Sequence, residues 1–163
     1  MLTVATNLRE LSFGKLMETY AEGNLENGQD LWPDEPEGRQ IALAEQEFYN
    51  YLREVFFKTP GASYFIWEEA GAFISALRLE PYRDGLLLEA LETDPRHRRK
   101  GYAAKLMEAV LLYVGDGKIY SHVGKKNRAS LRTHEKCGFR VISDHAVYAD
   151  GSVNDRCCTL LHE

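Results

Sequence analysis

Thr93-Asp94-Pro95-Arg96-His97-Arg98-Arg99-Lys100-Gly101-Tyr102-Ala103 decides the fold of this chain. The apolar run Leu86 to Thr93 leads into it. Tyr102 to Val114 leads out, with apolar residues at Ala103, Leu106, Met107, Val110, Leu111 and Val114, the stripe of an amphipathic helix. A strand, a turn opened by Pro95 and a helix are therefore expected in succession. Amide groups at a helix start carry partial positive charge and no intrahelical partner, so they suit an anion. Gly101 has no Cβ and lets a ligand approach the backbone. Arg96, Arg98, Arg99 and Lys100 place four basic residues within five positions, in a chain whose net charge is −5. Together these features predict a pyrophosphate cradle. Neither G-x-x-x-x-G-K-[ST] nor G-x-G-x-x-G occurs, which weakens the nucleotide-binding alternatives.

Working outward, Met1 to Ala5 reads as a short strand and Thr6 to Tyr20 as a helix ended by Gly23. Gly28 to Gly38, with Pro33 and Pro36, reads as a loop. Arg39 to Phe57 carries an apolar stripe at helical spacing: Ile41, Ala44, Phe48, Leu52, Val55 and Phe56. Ser63 to Glu68 and Ala72 to Leu79 flank Glu69-Ala70-Gly71 and predict a hairpin. Lys118 to Val123 reads as a strand. Asn127 to Lys136 reads as a helix with Asn127 as N-cap and Gly138 just beyond its end. Phe139 to Tyr148 and Asp155 to His162 read as two strands joined across Asp150-Gly151. Helices and strands alternate only in the second half, so the sheet should be mixed, with helices on both faces.

At 163 residues and 44% apolar content the chain is expected to form a single domain, residues 1–163. Its acidity argues against nucleic acid as a partner. No run of about 20 apolar residues predicts a membrane span. Met1 to Thr6 lacks the basic start and apolar stretch of a signal peptide, and three cysteines fit a reducing, cytoplasmic setting. The adjacent Cys157 and Cys158 should face opposite sides of a strand, and all three cysteines read as small core residues. No Cys/His spacing forms a zinc site, so no metal is expected.

Arg98-Arg99-Lys100-Gly101-Tyr102-Ala103 fits the pattern Q/R-x-x-G-x-G/A, and Asn127-Arg128-Ala129-Ser130 leads on to Glu135-Lys136-Cys137-Gly138-Phe139. The linked pair resembles the two signatures of the GNAT superfamily of N-acetyltransferases, over roughly residues 40 to 140. The resemblance implies an α/β fold of the α+β type, with a mostly antiparallel central sheet flanked by helices. It implies an acyltransferase enzyme using acetyl-CoA as co-substrate. The groups holding it would be Arg98, Arg99, Lys100, Gly101, Tyr102 and Ala103 at the pyrophosphate, backbone groups of Leu91 and Thr93 at the pantetheine, and Asn127 and Ser130 nearby. Homodimers are common in such a family.

Two residues are catalytic candidates by the same resemblance. Glu89 matches a strand glutamate that deprotonates the amine, directly or through water. Strict strand alternation would put Glu89, Leu91 and Thr93 on one face and Glu92 on the other. His134 stands where the family usually has Tyr, near the acyl sulfur. Histidine titrates near about 6.5, so its use as an acid differs from that of Tyr, and a thiol of pKa about 8.5 leaves without much help. The resemblance also implies that the segment carrying Glu22, Glu26, Asp30, Asp34, Glu35 and Glu37, with Trp32 among them, lines the acceptor groove, and its acidity would suit a cationic amine. The leading expectation is acetyl transfer to a primary amine of a small molecule. A protein N-terminus or lysine as acceptor, and a CoA-binding sensor with little turnover, remain as alternatives.

Overall fold

The computed structural model describes residues 1–163. In chain order the elements are β1 (Leu2–Ala5), α1 (Phe13–Thr19), α2 (Ala21–Leu31), α3 (Glu37–Glu54), β2 (Ser63–Glu69), β3 (Ala72–Tyr82), β4 (Gly85–Thr93), α4 (Tyr102–Val114), β5 (Ile119–Gly124), α5 (Arg128–Lys136), β6 (Arg140–Ser143), β7 (Ala146–Val147), β8 (Val153–Asn154) and β9 (Cys157–His162). Seven strands form one sheet in the order β1-β2-β3-β4-β5-β9-β6, and β7 pairs with β8 in a separate hairpin. Every pairing in the large sheet is antiparallel except β4 with β5. This is the mixed, mostly antiparallel sheet that the sequence predicts.

The sheet buries both faces. On one, Leu77, Leu79 and Leu88 pack under Leu106, Met107 and Val110 of α4. On the other, Tyr64, Ile66 and Ala76 pack under Leu16, Met17 and Tyr20 near α1 and Leu52 of α3. Each such aliphatic or aromatic side chain contributes about 1.5–3 kcal/mol by leaving water. Cys158 faces the α4 core, Cys157 is half-buried, and all three cysteines are free. No helix is long and apolar enough to cross a membrane.

The N-terminal quarter departs from expectation. Thr6 to Tyr20 is not one helix: Asn7 caps a short 3-10 turn at Leu8–Glu10, and α1 starts only at Phe13. Gly23 does not end a helix but lies inside α2, which runs on to Leu31, into the start of the expected loop. The chain bends instead at Tyr20, whose side chain is buried and tethered to β4. Gly28 explains why α2 persists: a Cβ there would sit 2.6 Å from the carbonyl oxygen of Gln40, so the missing side chain lets α2 and α3 touch. Both C-terminal strands are also interrupted. The first splits into β6 and β7 and the second into β8 and β9, with the turn at Asp150-Gly151 closing the β7–β8 hairpin.

Candidate active site

The parallel pair β4–β5 is the pivot of the site. It is paired only at Leu86–Ile119, Leu87–Tyr120 and Leu88–Ser121. Beyond Leu88 and Ser121 the strands part, although β4 continues to Thr93 and β5 to Gly124. The sheet therefore carries a fork open at one end.

A bulge sits on the β4 arm of the fork. Arg78 faces Glu89 and Ala76 faces Glu92, so Ala90 and Leu91 together oppose Leu77. Ala90 takes a left-handed φ of +52°, a conformation that costs a non-glycine residue about 1–2 kcal/mol. The bulge is held from the α1–α3 side. Tyr64 Oη donates to Tyr20 Oη at 2.8 Å, and Tyr20 Oη donates to the Ala90 carbonyl at 2.5 Å. Burial pushes the Tyr20 phenol well up from its ordinary value, so it stays a donor. The bulge also overturns the expected alternation. Glu89 and Glu92 share the α1–α3 face, whereas Leu91 packs toward α4 and Thr93 meets Ser75 Oγ at 3.1 Å.

On the α4 side a cleft of about 540 Å³ runs from the fork to the start of α4. Nine of the ten residues predicted to hold the co-substrate line it: Leu91, Thr93, Arg98, Arg99, Gly101, Tyr102, Ala103, Asn127 and Ser130. Lys100 lies outside, its Nζ 3.5 Å from the Arg96 carbonyl. No side chain caps the first turn of α4, which leaves its leading amides for an anion. Gly101 has φ +82°, and a Cβ there would meet nothing within 4 Å. Within the protein its role is thus conformational. Asn127 accepts from the Ser130 amide at 3.1 Å and so caps α5, a contact typically worth about 1 kcal/mol.

The basic residues of the turn are not equally free. Arg96 bonds Asp94 at 2.7 Å and Glu18 at 3.0 Å, and its guanidinium holds the Asp94 carboxyl below the ordinary range. Arg98 pairs with Glu22 and lies 3.7 Å from Glu92, stitching α2 to the turn. His97 is half-buried along the cleft with its ring edge-on to Tyr102. The opposite wall supplies two cations that the sequence reading missed: Arg132 and Lys136, four apart on α5. Their spacing on a helix whose cap borders the cradle was the available signal.

His134 is buried, 1% exposed. Its Nδ1 lies 2.8 Å from the Ser130 carbonyl, which can only accept, so Nδ1 carries the hydrogen. Nε2 then accepts from Ser121 Oγ at 2.8 Å. Burial lowers the pKa of this imidazole, its bond to Ser130 opposing. Neither nitrogen is left to face the cleft. His134 instead ties α5 to Ser121, the last residue of β5 paired with β4.

On the α1–α3 side a second cleft, about 410 Å³, is lined by Tyr20, Glu26, Glu47, Phe48, Tyr51, Arg78 and Glu92, among others. Of the expected acidic groove only Glu26 reaches it; Glu22 is engaged by Arg98, and Asp30, Asp34, Glu35, Glu37 and Trp32 lie outside. Arg78 is neutralised by Glu89 at 3.3 Å and stacks on Tyr51 at 4.7 Å. Burial raises the carboxyl pKa of Glu92, with Arg98 opposing and Glu22 and Glu26 adding, and burial also raises that of Glu80, which neighbours Glu89. Glu92 lines both clefts, so the two meet at the bulge. Past the fork on the same face lies a residue not singled out from sequence, His122 of β5, whose Nδ1 is buried without a hydrogen-bond partner. An unsatisfied buried polar atom typically costs about 1–3 kcal/mol.

Comparison with known proteins agrees with this fold. Over 70 residues the chain is 33% identical to the N-acetyltransferase 9-like protein of Schizosaccharomyces pombe, a match covering 37% of this chain and 32% of that protein. Among solved structures, the spermidine N-acetyltransferase of Vibrio cholerae in complex with CoA and spermine superposes with TM-score 0.59 at 22% identity, over 99% of this chain and 94% of that one. The ribosomal-protein-S18-alanine N-acetyltransferase of Escherichia coli does so with TM-score 0.60 at 16% identity, over 99% and 92%. At such identities the two structures share the fold. The model of the Acetyltransferase (GNAT) family matches residues 25–139, spanning α2 to the end of α5 and the whole fork, and the chain belongs to that family.

Proposed function

We propose that this protein transfers an acetyl group from acetyl-CoA directly to the primary amine of a small cationic molecule. The observation that carries the reading is the fork, with an anion-binding cleft on one side of the sheet and an acidic, aromatic cleft on the other, the two meeting at Glu92. The first-turn amides of α4, with Arg99, Arg132 and Lys136, would take the pyrophosphate. The pantetheine would lie along Leu91 and Thr93 as an added strand, its thioester at the bulge. A backbone amide freed by the bulge would stabilise the developing oxyanion. Glu26, Glu47 and Glu92 favour an acceptor with positive charge, and Phe48 and Tyr51 offer ring faces to it. The amine would lose its proton on the Glu89 face. His134, neutral and fully engaged, would position α5 against the fork, and the thiolate would leave unaided. Of the acceptors left open by sequence, a small amine suits a cleft of about 410 Å³ between α2, α3 and the bulge better than an extended peptide does.

Thermal unfolding with acetyl-CoA, and with ATP and NAD as controls, tests the first half. At about 100 times Kd the stabilisation should be about 2.7 kcal/mol. For this length that is a rise of roughly 5–10 °C, at about 2–4 °C per kcal/mol. Thiol release with propylamine, 1,4-diaminobutane, spermine and an alanyl peptide tests the second. No shift with acetyl-CoA refutes the reading; release with the peptide alone replaces the acceptor.

A further inference from the structure

The fork leaves one titratable side chain unpartnered. Glu89 and His122 are the first residues past the last β4–β5 pair, one on each arm. Both face α1–α3. Glu89 bonds Arg78, and the His122 ring packs edge-on against Tyr82 at 5.5 Å and Tyr148 at 5.2 Å. Tyr82 Oη donates to the Val147 carbonyl, so toward His122 Nε2, 3.5 Å away, it can only accept. That places the ring hydrogen on Nε2 and leaves Nδ1 with a free lone pair. Nδ1 is buried and no donor of the chain reaches it. Folds rarely tolerate such an atom unless something else supplies the donor. Glu89 is in the opposite position: its carboxylate already accepts from the Arg78 guanidinium.

We propose that His122 Nδ1 takes the proton from the acceptor ammonium, and that Glu89 stabilises the imidazolium that forms. This rests on the acetyl-transfer reading above. In the step, an N–H bond of the ammonium breaks, its electron pair stays on nitrogen and the proton binds Nδ1. The amine then attacks the thioester carbonyl carbon. As the tetrahedral adduct collapses, the C–S pair leaves with sulfur. The second nitrogen proton passes to the thiolate through solvent. Ammonium and thioester thus give amide, thiol and one proton, which His122 releases before the next turnover. The charged and titratable groups around the ring are Glu89 on β4, Arg83 in the turn after β3, Tyr82 on β3 and Tyr148 after β7. Burial lowers the pKa of the imidazole, with Glu89 opposing and Arg83 adding, so the ring is neutral and able to accept at pH 7.

The test is kcat against pH from 5 to 9, with acetyl-CoA and whichever amine of the panel turns over fastest. The wild type should lose rate on an acid limb that bends below about pH 6.5. His122→Gln should abolish that limb and cut kcat at pH 7 at least 30-fold while keeping the acetyl-CoA thermal shift. Added imidazole should partly restore His122→Ala. Glu89→Gln should keep the limb but move it to lower pH, because losing the neighbouring negative charge makes the imidazolium easier to deprotonate. If His122→Gln keeps both limb and rate within threefold while Glu89→Gln loses the limb, Glu89 is the base and this inference is wrong, though the transfer reading stands. If the wild type acetylates no amine at all, both fall.

Discussion

Ala90 is the residue on which the site turns. Its left-handed backbone makes the bulge, and its carbonyl is held by Tyr20. Tyr20→Phe removes that donor from a buried carbonyl and should cost about 1–3 kcal/mol of stability by chemical denaturation. It should also lower kcat more than fivefold at unchanged affinity for acetyl-CoA. Nothing in Leu88-Glu89-Ala90-Leu91-Glu92 marks the bulge, because alanine lacks the turn signal that a glycine would give, so strict alternation put Glu92 on the wrong face. Gly101 was singled out for the approach of a ligand; the structure shows it at a left-handed φ with nothing within 4 Å of a Cβ. His134 was legible as a family position but not as a brace, since Ser121, its partner on β5, is brought to it by the fold. Its folded pKa lies below the ordinary value, so folding favours the neutral ring. The stability it contributes is present above the unfolded value of about 6.5 and is lost as pH falls from there through the lowered folded value. The melting temperature should therefore drop as pH falls below 6.5, and His134→Gln, although less stable at pH 7, should show a shallower drop. An unchanged slope would assign the acid sensitivity elsewhere.

At the scale of elements, β2 to α5 followed the sequence closely because periodicity, caps and turns agree there. Asn127 caps α5 and the hairpin turns at Ala70-Gly71, both as read. The helices α1 and α2 did not follow, because a glycine read as a stop was outweighed by packing. The two glycines of α2 can be told apart. At Gly28 a Cβ would strike Gln40, whereas at Gly23 it would meet only Glu92 Oε1, at 3.7 Å. Gly28→Ala should destabilise by about 1–3 kcal/mol through overpacking. Gly23→Ala should stabilise by about 0.5–1 kcal/mol through helix propensity. Equal effects in thermal melts would contradict the close contact of α2 with α3. The same helix carries Glu22 and Glu26 to the bulge, which is why the acidic groove expected from a loop narrowed to a few residues.

For the molecule as a whole, the fold is a sheet with one opening and a differently charged cleft at each side of it. Composition could not reveal this division, since net acidity conceals a cationic cleft of Arg99, Arg132 and Lys136 opposite an anionic one of Glu26, Glu47 and Glu92. Changing a charge in each cleft should separate the two. Arg132→Glu should weaken acetyl-CoA binding at least fivefold by calorimetry, with little change in KM for the amine. Glu47→Gln should raise KM for a cationic amine at least threefold and leave acetyl-CoA binding alone. The central claim, that the fork lets a thioester on one face meet an amine on the other, is tested most directly by thiol release from acetyl-CoA together with the mass of the amine. The account predicts release that depends on a small cationic amine, with each thiol matched by one acetylated amine. Tight binding of acetyl-CoA with no amine-dependent release would contradict it.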